Sequence, residues 1–264
     1  MQNINATIVQ ADLAWENAAA NIEALGNKIA QIEVQTDLIV LPEMFCTGFS
    51  MEPEGIAEPM DSAPIRWMKE VAASKNAVVC GSLAIKDGTY YYNRFLWVKP
   101  DGSLAHYDKK HLFSYAGEDK NYRAGTGKLI VEHKGWRFLP MICYDLRFPV
   151  WSRNRYCADA GFDYDCLIYV ANWPEVRNHA WRVLLMARAI ENQAYVIGVN
   201  RIGVDGNQVS YSGDSAILDP KGENLSSLMP SSEGVETVIL SRCQLDSYRE
   251  KFRQGPDWEK FTLL

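Results

Sequence analysis

Three short apolar runs pass directly into reactive side chains, and this constrains the chain more than any other feature of its sequence. Asp37-Leu38-Ile39-Val40-Leu41 leads into Pro42-Glu43, Leu139-Pro140-Met141-Ile142 into Cys143-Tyr144-Asp145, and Leu167-Ile168-Tyr169-Val170 into Ala171-Asn172-Trp173-Pro174. Strands that are apolar at consecutive positions face covering layers on both sides, so they belong inside a layered α/β architecture. In such folds ligands bind beyond the carboxyl ends of the strands. The pattern therefore predicts a carboxylate, a thiol and an amide beside an indole at strand ends.

Similar apolar runs alternate with helix-length segments along the whole chain. Strands are predicted at Ile4 to Gln10, Asp37 to Leu41, Ala77 to Ile85, Tyr90 to Val98, Leu104 to Tyr107, 135 to 142, 165 to 170 and 195 to 200, with later strands around 209 to 218 and 235 to 240. Helices are predicted at Glu16 to Ile32, at Ser62 to Lys75 with Asp61 or Ser62 as cap and Pro64 in the first turn, at about 150 to 160, and at 178 to 193. Lys99-Pro100-Asp101-Gly102 reads as a hairpin turn and 111 to 127 as loop. No low-complexity linker, charge run or short-period repeat divides the 264 residues, so 1–264 is read as one domain.

Composition excludes several classes. With 27 Lys plus Arg against 33 Asp plus Glu, the chain has a net charge of −6 and no basic stripe for nucleic acid. No apolar run approaches the roughly 18 residues of a spanning helix, and the N-terminus lacks a basic and then apolar leader, so a cytoplasmic protein without membrane partners is expected. The six cysteines, at 46, 80, 143, 157, 166 and 243, include no C-x-x-C pair, and the four histidines form no ligand set, so free thiols and no metal or other cofactor are expected.

Each strand-end residue has an ordinary reading as well. A free cysteine is most often a packed core residue, Glu43 could serve a structural ion pair, and the cations of Tyr107-Asp108-Lys109-Lys110-His111-Leu112-Phe113 could be a solvated face. In combination, and in this order, Leu41-Pro42-Glu43, the 107–113 run, and Ile142-Cys143-Tyr144-Asp145-Leu146-Arg147-Phe148 resemble the Glu, Lys and Cys motifs of the nitrilase superfamily of carbon–nitrogen hydrolases. Ala187-Arg188-Ala189-Ile190-Glu191-Asn192-Gln193, Asn200-Arg201, Gly213-Asp214-Ser215 and Asp219-Pro220-Lys221-Gly222 extend the resemblance to about residue 240. Cys143 through Asn154 and Tyr169 through Pro174 are most similar to the bacterial ω-amidase branch, which deamidates 2-oxoglutaramate and 2-oxosuccinamate.

The resemblance implies a four-layer α-β-β-α sandwich and a C-terminal extension, about 241–264, at a homodimer interface. It also implies that Cys143 attacks the amide carbonyl while Glu43 takes the thiol proton and passes it to departing ammonia. Lys109 and the backbone N–H of Tyr144 would hold the oxyanion, and Glu118 would orient the lysine. A thioester intermediate would then be hydrolysed to the acid. The family spacing selects Lys109 over Lys110, which alternates to the other side of an extended chain, and makes His111 structural, although a Cys–His dyad is chemically conceivable.

A substrate carboxylate and keto group call for a planar cation. Arg177, after the Asn172-Trp173-Pro174 strand end, is the first candidate; its rivals Arg147 and Arg188 are read as braces for the fold. Asn172, Phe45, Phe113, Tyr115 and Trp173 are the expected pocket walls. Arg188 falls on the apolar stripe of the 178–193 helix, so it needs a partner such as Glu191 at i+3. The alternatives are another amidase or nitrilase of the superfamily acting on carbamoyl, aliphatic amide or nitrile substrates, and, more remotely, a catalytically silent interaction module.

Overall fold

A computed structural model describes residues 2–263. In chain order its strands are β1 Ile4–Gln10, β2 Leu38–Val40, β3 Val78–Asp87, β4 Tyr90–Val98, β5 Leu104–Asp108, β6 Val131–His133, β7 Trp136–Ile142, β8 Tyr156–Cys157, β9 Gly161–Phe162, β10 Cys166–Ala171, β11 Tyr195–Asn200, β12 Ile202–Val204, β13 Ser210–Ser212, β14 Ala216–Leu218 and β15 Gly234–Leu240. The α-helices are α1 Ala18–Ala30, α2 Pro53–Ile56, α3 Ala63–Lys75, α4 Glu118–Asn121, α5 Pro149–Ser152, α6 Asn178–Asn192 and α7 Arg242–Lys251.

One sheet runs β15-β1-β2-β3-β4-β5 and the other β14-β11-β10-β7-β6, each with a parallel centre and antiparallel edges. The period of two explains how the first sheet is sandwiched. Leu38, Val40, Val78, Cys80, Phe95 and Trp97 join the core shared with the second sheet, whereas Ile39, Val79, Leu96 and Val98 join a separate core that includes Leu25 and Ile29 of α1 and Ile65 and Met68 of α3. On the far side, Trp181 and Leu185 of α6 pack against Gly198 of β11, and Ala189 joins the same core. The result is a four-layer α-β-β-α sandwich.

Several elements differ from the sequence reading. The helix expected at 150 to 160 ends at Ser152, because Asn154 Oδ1 accepts the N–H groups of Arg155, Asp163 and Tyr164 and folds the chain into the small β8–β9 hairpin. The loop at 111 to 127 holds α4, which is preceded by Gly117 in the left-handed region. The strand expected at 209 to 218 is split into β13 and β14 where Gly213 and Asp214 take positive φ.

The C-terminal segment packs on its own chain. Arg249 of α7 bonds Asp165 at 2.7 Å and the carbonyls of Tyr164 and Gln193, and Trp258 meets the Phe162 ring edge-on. Trp258, in the predicted extension, thus has an intrachain partner; Leu264, the last residue of that extension, lies outside the described residues.

Candidate active site

Glu43 follows β2, Lys109 follows β5, Cys143 follows β7 and Asn172 follows β10, so the two facing sheets deliver four side chains to one edge of the sandwich. Lys109 is held there by Gly125, whose N–H donates to the Lys109 carbonyl at 2.9 Å; a Cβ at Gly125 would sit 2.1 Å from the Asp108 carbonyl oxygen. Any other residue would push the two segments apart.

Glu43, Lys109 and Glu118 are fully buried. Lys109 Nζ lies 2.9 Å from Glu43 Oε1 and 2.9 Å from Glu118 Oε2, and its cation sits 5.0 Å from the centre of the Phe49 ring. Burial alone would push the lysine pKa down, but the charges of Glu118 and Glu43 override it and hold the group above the ordinary lysine range, as an ammonium. Burial raises the Glu118 pKa, Lys109 opposes the rise, and the charge of Glu43 adds to it. Glu118 also accepts the Phe113 N–H at 2.6 Å.

Cys143 sits at the floor of a cavity of about 780 Å3 with φ at +43°, a conformation that costs a non-glycine residue energy and turns its side chain out of the strand line. Its thiol pKa is raised well above the usual value, by burial first and then by the adjacent Glu43 carboxylate, with Lys109 acting in the opposite direction. The thiol is therefore held protonated beside Glu43. Tyr144 follows in a short 3-10 turn, Cys143–Arg147, and N–H groups at the start of such a turn have no acceptor within it.

Asp145 fastens this turn to the lysine segment. Its buried carboxylate accepts from Ile142 N, Tyr107 Oη, His111 N and His111 Nδ1, at 2.8 to 3.0 Å. His111 is stacked on Phe148 and paired with Asp145, a structural placement. Lys110 turns away from Lys109 and places its ammonium over Trp151.

Of the expected walls, Phe113, Tyr115, Asn172, Trp173 and Arg177 line the cavity together with Tyr144. Phe45 does not: it is fully buried against Trp67 in the core beneath the outer helices. The chain turns at Met44, which has φ of +43°, so that Phe45 enters the core and Phe49 reaches the cavity. Asn172 ties the floor together, donating from its backbone N–H to Glu43 Oε2 at 2.7 Å and from Nδ2 to the Glu43 carbonyl at 2.6 Å.

The arginines divide differently from the sequence reading. Arg188 is a brace, bonded to Glu191 Oε1 at 3.0 Å and to the Leu146 carbonyl at 2.6 Å. Arg147, also expected to brace, instead lies on the cavity wall with its guanidinium over the Trp173 ring, because the short turn after Cys143 swings it outward. Arg177 stands over Phe113 and Tyr115. Neither Arg147 nor Arg177 has a carboxylate partner among the described residues.

Sequence reasoning missed Ser82 and Asn93, both fully buried. An asparagine inside the aromatic run Tyr90-Tyr91-Tyr92-Asn93 was an available signal, since a buried amide needs partners. Among the described residues, no group of three or more His, Cys, Asp or Glu is placed to hold a metal ion.

A thiol, a carboxylate and a buried ammonium gathered beneath one cavity are groups that a hydrolase with a thiol nucleophile would use. The chain belongs to the carbon–nitrogen hydrolase family, whose model matches residues 5–251. It is 45% identical to the omega-amidase YafV of Yersinia enterocolitica over 264 residues, the whole of both chains. It is also 31% identical to the 2-oxoglutaramate amidase of Bacillus subtilis over 241 residues, 90% of this chain and 89% of the relative. The solved structure of XC1258 from Xanthomonas campestris, a CN-hydrolase superfamily protein with an arsenic adduct in its active site, superposes with a TM-score of 0.97 at 42% identity and full coverage of both chains.

Proposed function

We propose that this enzyme is an ω-amidase that hydrolyses the terminal amide of 2-oxoglutaramate or 2-oxosuccinamate to the dicarboxylic acid and ammonia. The observation that carries the substrate class is the pair Arg147 and Arg177, two guanidiniums without carboxylate partners on the wall of the cavity above Cys143. They suit the carboxylate and keto oxygens at the far end of a short substrate. The likeness to the YafV and 2-oxoglutaramate amidase relatives supports the same reading.

In this mechanism Glu43 accepts the Cys143 proton as sulfur bonds to the amide carbon. Lys109 and the Tyr144 N–H stabilise the oxyanion. The C–N bond then breaks as Glu43 returns the proton to nitrogen, and ammonia leaves a thioester. Water, deprotonated by Glu43, attacks the thioester, and the thiol takes back its proton as the acid departs. Glu118 holds Lys109 in place throughout. The whole chain acts as one catalytic domain on a small amide, as a cytoplasmic homodimer.

Ammonia release from 2-oxoglutaramate, measured for wild type, Cys143→Ala and Arg177→Ala, tests the proposal. Turnover by wild type, none by Cys143→Ala, and a KM raised at least tenfold by Arg177→Ala are expected. Full activity of Cys143→Ala would overturn the mechanism, and no ammonia from wild type would overturn the substrate.

A further inference from the structure

Asn93 lies in the middle of β4, fully buried, and its amide reaches both glutamates of the site. Nδ2 donates to Glu43 Oε1 at 2.7 Å and to Glu118 Oε1 at 3.1 Å. The amide is supported from behind: the N–H of Met44 donates to Ser82 Oγ at 2.9 Å, and the hydroxyl donates to Asn93 Oδ1, also at 2.9 Å. A reversed amide would set its oxygen against two carboxylates.

The consequence falls on Glu43. A carboxylate oxygen has two lone-pair sites. Oε1 receives both Lys109 Nζ and Asn93 Nδ2, whereas among the described residues Oε2 receives only the Asn172 N–H. The Asn172 carbonyl lies 4.0 Å from Cys143 Sγ, so the oxygen with the open site is the one tied to the residue that also borders the thiol.

We propose that Asn93, oriented by Ser82, is a positioning residue that occupies Oε1 of Glu43, directs the cysteine proton to Oε2, and keeps the paired carboxylates in their charged forms. The proposal rests on the Glu43–Lys109–Cys143 reading above. The titratable groups around the amide are Glu43, Glu118 and Lys109, with Cys143 and Tyr122 next to them. Hydrogen bonds to a carboxylate favour its ionised form, so removing the amide lets the base keep its proton to higher pH.

The test is the pH dependence of Cys143 alkylation by iodoacetamide, followed on the Cys143 peptide by mass spectrometry so that the exposed Cys157 and Cys243 do not contribute. The same profile is recorded for kcat/KM of ammonia release. Asn93→Leu is expected to move the acidic limb of both profiles upward by about one pH unit. Ser82→Ala, which frees the amide to turn, is expected to move it in the same direction by less. A residue that only supported the fold would lower Tm or the rate at all pH values and leave the limb in place.

An unmoved limb in folded Asn93→Leu overturns the proposal; should that variant fail to fold, an unmoved limb in Ser82→Ala overturns it instead. A shift that persists in the Glu118→Gln background supports Glu43 as the affected base, and one that vanishes there overturns that part. Alkylation needs no substrate. A shifted alkylation limb with no ammonia release from wild type would sink the ω-amidase reading and leave Asn93 standing.

Discussion

Replacing Glu118 by glutamine preserves its shape and removes its charge, and the hydrogen bonds around it fix the outcome. Both carboxylate oxygens act as acceptors: Oε1 from Lys109 Nζ and Asn93 Nδ2, Oε2 from the Phe113 N–H at 2.6 Å and facing Lys109 Nζ at 2.9 Å. Glutamine offers one acceptor oxygen and one donor amide. If the oxygen takes the place of Oε1, the NH2 confronts the Phe113 N–H; if it takes the place of Oε2, the NH2 confronts the Asn93 amide, and in both cases it also meets the ammonium.

One buried donor is therefore left unpaired in either orientation, a cost of about 1–3 kcal/mol, or roughly 5- to 150-fold if it is expressed in the transition state. Expressed in the ground state, the same cost lowers Tm by roughly 2–10 °C for a chain of this size. The charge of Glu118 also helps hold the Cys143 thiol protonated, so its loss does not slow thiol deprotonation. The expected pattern for Glu118→Gln is kcat/KM for ammonia release down by about 10- to 100-fold, Tm lowered, and Cys143 alkylation at fixed pH no slower than in wild type. Activity within twofold of wild type with an unchanged Tm would refute the reasoning.

Two further outcomes follow from the same geometry. Lys109→Ala is expected to lose about 100- to 1,000-fold in kcat, the scale of one lost oxyanion partner, whereas Lys110→Ala, whose ammonium lies over Trp151, stays within about twofold; equal losses in the two would remove Lys109 from its role. His133 has its pKa lowered by burial and then by Lys134, and its Nε2 is buried without a partner among the described residues, so the unfolded chain binds a proton there more readily than the folded one. Its contribution to stability is present at neutral pH and is lost as pH falls through the usual histidine range. His133→Phe is expected to flatten the fall of Tm between about pH 7 and 5, and an unchanged slope would contradict the assignment.

Local chemistry was legible wherever spacing along the chain carries it. Alternation along an extended chain set Lys109 and Lys110 on opposite sides and the family spacing chose between them, and the helical i, i+3 relation supplied Arg188 with Glu191 at 3.0 Å. Strands apolar on both faces called for covering layers, and the layers are there. Phe45 and Phe49 were not separable in this way, because the positive φ at Met44 decides which of them enters the core. Arg147 was misread for a similar reason: the turn after Cys143 sets its direction, and no periodicity describes a turn of five residues.

The sequence by itself determined which groups could react: a glutamate, a lysine and a cysteine at the ends of buried segments, in an order shared with a known family. Only the tertiary structure decided how they meet. Glu43, Asn93, Lys109, Glu118, Cys143 and Asn172 converge because two twisted sheets pack face to face, and the pairing of β3 with β4 sets Ser82 within reach of Asn93. Buried carboxylates, an ammonium and amides have favourable energies only in one another's company. That company is assembled by contacts between residues up to 129 positions apart, whose distances no local pattern encodes.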